Sequence, residues 1–369
     1  MMQHTYTFNG GKIWKNGKFH PNGTFSIPIG GDTSYTKQLA EDDLIVPGLV
    51  DFHTHFWAPK SGLGVADSML YSNGIVAAVD AGSFGYDDWD SADTFWKASG
   101  NVEMRSYIAV LPEGLTIYPP DLTRLTKPED IDVARLIETV RRADPKTCMG
   151  VKVQLGRYGL ENDRALMKAA KAAADATGCQ IMVHVSGAYL SFEELVEYLR
   201  SGDVITHIYS GFDNRPFLLD EQGRVKENIF FEAKKQGIVM DVAHAGKHFS
   251  WDVYKKGAAA GAEFDTLSTD ITRFMWNDPK LKVENLEHII SAMLAAGEDL
   301  DHVFSAVLDT PAEKMGVTLD FRKNALVLKK VAGNFSFLDW QDHVVTAGSA
   351  YVSDVFVGQN RVCLCGRPE

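Results

Sequence analysis

The feature that most constrains this chain is an alternation through its middle. Short apolar runs rich in Val and Ile are each followed by a longer segment with helical spacing. The runs are 44–55, 74–83, 103–112, 148–155, 179–187, 203–211, 237–246 and 264–272. Runs of this kind read as strands buried on both faces, as in a parallel sheet covered by helices. The intervening segments include PEDIDVARLIETVRRA and DRALMKAAKAAADATG, and the second stops at Gly178, a residue that ends helices readily. The C-terminal ends of the runs recur about every 25–40 residues, near the ~31 residues per unit of an eightfold barrel. The pattern predicts an α/β fold, a (β/α)8 TIM barrel over 49–317. An open doubly wound sheet is the rival, but no Gly-x-Gly-x-x-Gly follows an early strand.

The two flanks carry a different pattern. Residues 1–48 alternate apolar and polar positions between the turn signals NGGK, KNGK and PNGT. Residues 318–369 do the same in NALVLKK, GNFSFLDW, YVSDVFVG and NRVCLCG. Neither flank is long enough for a good core alone. The expectation is one small β-sandwich domain built from both termini.

Charge and cysteine usage narrow the function. The 369 residues hold 49 acidic against 37 basic side chains, a formal charge of −12. A nucleic-acid binder needs a basic surface, so that class is excluded, and a small-molecule substrate is expected. Four cysteines, Cys148, Cys179, Cys363 and Cys365, are too few to staple such a chain, which points to a reducing, cytoplasmic setting. The N-terminus shows no basic segment followed by an apolar run, and no stretch nears the ~20 apolar residues of a bilayer span, so no membrane partner is expected. Nothing here decides whether copies associate, and a homo-oligomer stays open.

Catalytic groups of such barrels stand at the C-terminal ends of the strands. Those positions hold His53 and His55 on the first strand, Lys152 on the fourth, His184 on the fifth and His207 on the sixth. Asp241 and His244 stand on the seventh and Asp270 on the eighth. A spacing of two puts His53 and His55 on one face of a strand, within reach of one divalent ion. Any one of these histidines alone would more often be a satisfied core residue, and Lys152 alone a side chain reaching for solvent. Their joint occurrence favours a metal site. Four imidazoles and a carboxylate suit zinc or another borderline first-row metal.

Pro47-Gly48-Leu49-Val50-Asp51-Phe52-His53-Thr54-His55 resembles the first-strand signature of the amidohydrolase superfamily, and Lys152, His184, His207 and Asp270 follow in that superfamily's order. The resemblance covers the barrel and the β-domain, and is closest to the dihydroorotase-like branch. Within it the chain resembles deacetylases acting on acylated small carboxylic acids, through THIYSGFDNRPFLLDEQGRVKENI, DVAHAGKHFSW and LSTDIT. The resemblance implies two divalent metal ions, zinc favoured. His53 and His55 with Asp270 would bind the first, and His184 and His207 the second. Lys152, carboxylated by carbon dioxide, would bridge them, which gives a buried lysine its reason. A hydroxide shared by the ions would attack the carbonyl, and the catalytic Asp270 would carry its proton to the leaving group.

Four further residues are expected to contact substrate. His244 resembles the family's substrate-contacting histidine, with a structural role as the alternative. Arg157 either binds a substrate carboxylate or pairs with Glu161. Tyr209 and Ser210 lie just past His207 and could line the pocket. Asp80 orients a ligand histidine or shapes a turn. Arg273 and Trp276 are candidates for a pocket wall, and Cys363-Leu364-Cys365 reads as strand.

The reaction expected is hydrolysis of an amide or ester bond in an N-acyl amino acid or O-acyl hydroxy acid. A cyclic amidase is the first rival; its members carry an arginine and asparagine pair after the first strand, where this chain has Phe56-Trp57-Ala58-Pro59-Lys60. A noncatalytic barrel serving as an assembly partner is the second.

Overall fold

The computed structural model describes residues 4–117, 121, 123–276, 278, 280, 283, 285–358 and 361–364. Seven parallel strands form one curved sheet in sequential order. They are β1 (Leu49–Thr54), β2 (Ile75–Gly85), β3 (Glu103–Ala109), β4 (Cys148–Gln154), β5 (Gln180–His184), β6 (Val204–Thr206) and β7 (Val239–Asp241). Helices follow the expected segments. Val133–Arg142 starts under an Asp132 cap, and Leu160–Thr177 ends at Gly178, which takes φ +76°.

The barrel is borne out, with two corrections. The eighth expected strand, 264–272, is not a strand but an irregular segment that bridges the two edges. Thr266 bridges Asp241 of β7, and Ile271 bridges Thr54 of β1. The segment keeps scattered backbone bonds to both edges. The Thr269 amide, however, donates to the Asp51 carboxylate at 3.0 Å and Asp270 turns left-handed at φ +51°, which breaks the regular ladder. The Thr269 hydroxyl donates to Asp51 at 2.6 Å, and the Thr266 and Ser268 hydroxyls each donate to Asp241 at 2.7 Å.

The second correction concerns the first run. It breaks at Pro47-Gly48, where Gly48 takes φ +93° and a Cβ would lie 2.4 Å from Val76 Cγ1. Leu44–Val46 therefore leaves the barrel and pairs antiparallel with Leu326–Leu328. This pairing joins the two flanks in a six-stranded sheet, with a three-stranded sheet of residues 4–9, 24–29 and 35–38 beside it. Phe8, Ile27, Ile45, Val327, Val355 and Val357 pack between them. Of the Cys363-Leu364-Cys365 motif, Cys363 lies in the strand Arg361–Leu364, and Cys365 falls outside the described residues.

The barrel interior is filled from below. Val50, Phe52, Val79, Tyr107, Met182 and Val204 form a buried layer, and Ala312 and Met315 of the helix Asp309–Met315 complete it. That apolar floor leaves the upper barrel to polar groups. No helix among the described residues is long and apolar enough to cross a membrane.

Candidate metal centre

Above the floor, six polar side chains converge. The ladder between β1 and β2 shifts register between Asp51 and Thr54, and His53 on β1 and His55 just past its end both reach Asp270. His55 Nε2 is 2.9 Å and His53 Nε2 3.4 Å from Asp270 Oδ1, and His207 Nε2 is 3.8 Å from Asp270 Oδ2. Ligand atoms of His53, His207 and Asp270 all fall within 4.8 Å of one another. Lys152 Nζ lies 3.5 Å from His53 Nε2, and the His184 ring centroid is 4.3 Å from that of His207. The structure thus brings together His53, His55, Lys152, His184, His207 and Asp270.

Three of the four rings, those of His55, His53 and His207, are aimed by a contact on the far nitrogen. His55 Nδ1 is 2.9 Å from Ser83 Oγ, and the Ser83 amide donates to Asp80 Oδ1. Asp80 also accepts the Phe56 amide, so it supports His55 through Ser83 and shapes the turn as well. His53 Nδ1 is 2.9 Å from Thr206 Oγ1, which donates to Asp241 at 2.7 Å. His207 Nδ1 donates to the carbonyl of Ala243 at 2.7 Å. A ring that donates from Nδ1 leaves an unprotonated Nε2 lone pair. In His207 that atom is buried and has no hydrogen-bond partner among the described residues. An unsatisfied lone pair beside two other histidines and a carboxylate fits a metal ion.

The electrostatics agree. Burial pushes the Lys152 amine down to about 8, against the pull of Asp270, Asp241 and Asp80, so a neutral amine able to react with carbon dioxide is accessible near neutral pH. Burial, then the neighbouring His248, holds His184 well below the usual imidazole range. Asp270 is pushed up by burial, but His53 and His55 outweigh that and keep it an anion. His207, at φ +70°, and Asp270, at φ +51°, hold left-handed backbone that a side chain rarely adopts. Strain of this kind concentrates at functional sites.

The cluster opens into a cavity of about 300 Å³ lined also by Arg157, Lys247, His248, Leu155, Phe212 and Phe274. Arg157 therefore reaches the cavity, while Glu161 pairs with Arg164 at 2.6 Å.

The structure does not bring the other three expected contacts to the cavity. His244 stacks on Phe249 with centroids 4.5 Å apart and accepts the Gly246 amide, because the chain turns through left-handed Ala243 and Ala245 on either side of it. The Tyr209 hydroxyl donates to the Ala262 carbonyl at 2.6 Å within an aromatic cluster behind the barrel wall. Ser210 is fully buried one step behind the lining, 2.8 Å from Ser186 Oγ. Neither Arg273 nor Trp276 lines the cavity, although Thr272, Phe274 and Met275 between and before them do.

Two titratable lining residues were not foreseen, Lys247 and His248. Both lie in the loop past β7, beyond the strand-end position, so strand periodicity does not point to them.

No protein-family model matches the chain. It is 26% identical over 286 residues to a deacetylase of Brucella anthropi, covering 75% of this chain and 68% of that protein. It is 26% identical over 291 residues to a deacetylase of Agrobacterium fabrum, covering 77% and 68%. Among solved structures, a dihydroorotase superposes with a TM-score of 0.80 at 22% identity, covering 100% of this chain and 99% of the other. An adenine deaminase gives 0.78 at 18% identity, covering 97% and 99%. The structural likenesses show the fold, a TIM barrel with a small sheet domain. With the deacetylase relatives, they bear out the resemblance to the amidohydrolase superfamily and the class of enzyme it implies, a hydrolase.

Proposed function

We propose that the chain is a metal-dependent hydrolase that cleaves the amide or ester bond of a small acylated carboxylate, an N-acyl amino acid or an O-acyl hydroxy acid. The observation that carries this reading is the convergence of His53, His55, His184, Lys152 and Asp270 in the lining of a cavity that also holds Arg157, with His207 fully buried behind them against His184 and Asp270. The names of the curated relatives support it.

His53, His55 and Asp270 would hold one divalent ion, His184 and His207 a second, and carboxylated Lys152 would join them. Such ions, zinc suiting the nitrogen-rich donors, polarise a carbonyl and lower the pKa of water. The chain's own groups do the rest. Asp270 takes the proton of the attacking water at its carboxylate and passes it to the leaving nitrogen or oxygen. Arg157 pairs with the substrate carboxylate. Leu155, Phe212 and Phe274 give the cavity an apolar wall for the acyl part of the substrate. The acidic balance and sparse cysteines support a cytoplasmic enzyme for small molecules.

A panel of N-acetyl amino acids and O-acetyl hydroxy acids, assayed beside dihydroorotate and hydantoins, tests the reading. Turnover of the acylated carboxylates is expected. Turnover of the cyclic amides alone would replace it with a cyclic amidase.

A further inference from the structure

We propose that His248 is a catalytic residue of this site, a neutral imidazole whose Nε2–H donates to the acyl carbonyl oxygen of the substrate as negative charge develops there. The proposal rests on the hydrolase reading above.

The position is the first argument. The His248 ring lines the cavity, with its centroid 4.9 Å from that of His184 and 4.6 Å from that of His207. It stands beside the reacting centre. His244, on the same loop, is turned onto Phe249 and cannot fill this place.

The second argument is a directed chain of hydrogen bonds. His248 Nδ1 is 2.7 Å from Ser186 Oγ, and Ser186 Oγ is 2.8 Å from Ser210 Oγ. The Phe212 amide donates to Ser210 Oγ at 3.2 Å. An amide N–H can only donate, so Ser210 Oγ accepts at that end. Its own hydrogen then has Ser186 Oγ as acceptor, and the Ser186 hydrogen goes to His248 Nδ1. The reverse direction would leave the Ser210 hydroxyl hydrogen without an acceptor at a fully buried position, a loss of about 1–3 kcal/mol. His248 Nδ1 is therefore an acceptor, and the ring carries its proton on Nε2, the nitrogen left to the cavity.

The chemistry follows from the neighbours. Arg157 and Lys247 line the same cavity and, as cations, suit the substrate carboxylate. A neutral donor beside the metal-site histidines suits an oxygen whose charge appears only on the way to the transition state. A donor of that kind, fixed before the reaction, is worth about 100-fold or more in turnover.

The test uses the metal-loaded enzyme. His248→Phe keeps a ring and removes the donor. We expect kcat on the best substrate of the acetyl panel to fall about 100-fold, with KM and bound metal retained. His248→Gln, which restores an N–H, recovers part of the loss. Ser186→Ala, which frees the ring, loses less than His248→Phe. In the nitrogen NMR spectrum of ¹⁵N-histidine-labelled protein, the signals lost in His248→Phe report an Nε2–H tautomer, which becomes mixed in Ser186→Ala. An Nδ1–H tautomer overturns the proposal, as does an unchanged kcat. Loss of metal in His248→Phe overturns it too, making the residue a ligand. If the wild-type chain hydrolyses no acylated carboxylate, the functional reading fails separately, and the NMR result still decides the tautomer.

Discussion

Gly82 packs against Lys152 so closely that a Cβ on the glycine would stand 2.6 Å from the lysine Cβ and 2.7 Å from its Cγ. The glycine, at φ +82°, opens the space through which the lysine side chain crosses the barrel towards His53. A lysine at this depth is buried among carboxylates and imidazoles, and its path is set by a residue two strands away.

Gly82→Ala should therefore disturb the site as well as the fold. The left-handed backbone and the clash together should destabilise the protein by about 1–3 kcal/mol. Gly100→Ala is the control, because it is also left-handed, at φ +75°, but nothing lies within 4 Å of where its Cβ would stand. Urea melts should show both variants weakened. Metal analysis should show a deficit only in Gly82→Ala.

Asp270→Asn should fold and lose turnover. The amide keeps the shape of the carboxylate but cannot take a proton from water, a role worth about 10²–10⁴-fold. The measurement is kcat at saturating substrate, with circular dichroism to confirm the fold. A variant with wild-type kcat would remove Asp270 from the reaction.

If Lys152 bridges the ions as a carbamate, as proposed, metal uptake should depend on carbon dioxide. After chelation, reconstitution with zinc should restore about two ions per chain when bicarbonate is present, and clearly less in carbonate-depleted buffer. Lys152→Met should remove the dependence along with most of the activity. Equal uptake in both buffers by the wild-type chain would exclude the carbamate.

A pH effect on stability should come from outside the site. His302 Nδ1 lies 3.0 Å from Glu298 Oε2, and Tyr254 donates to the same carboxylate at 2.6 Å. The hydrogen bond that His302 donates to the Glu298 carboxylate raises the His302 pKa in the folded state, against partial burial. A raised folded pKa means the native state binds the proton more tightly. The stabilisation is thus full below the free-histidine value of about 6.5 and fades as pH rises through the folded pKa. Urea midpoints of wild type and His302→Gln should differ most at pH 5.5 and converge by pH 8.5; a constant gap would contradict the assignment.

Much of the fold and the metal cluster was legible because strand and helix periods differ and because a spacing of two on a strand has a geometric meaning. His53 and His55 share Asp270 for that reason, and Lys152, His184 and His207 stand where strand ends place them. The misses share a physical cause. Beyond a strand end, side-chain direction depends on single backbone torsions. Left-handed Ala243 and Ala245 turn His244 away, and the loop beyond returns His248 to the cavity. The chain after His207 likewise dives behind the wall and carries Tyr209 and Ser210 with it. The eighth strand is interrupted where the Asp51 carboxylate takes the Thr269 amide and Asp270 turns left-handed, local backbone events that strand periodicity does not register.

The pairing of Val46 with Leu326 also sets an order of events during synthesis. At roughly 5–20 residues per second, the partner strand leaves the ribosome on the order of tens of seconds after Leu44–Val46 does. Through that interval Leu44, Ile45 and Val46, all fully buried in the finished protein, present a bare apolar edge next to the segment that will become β1. A translation product that stalls before residue 324 emerges as a sticky, unclosed intermediate and not as a smaller working enzyme.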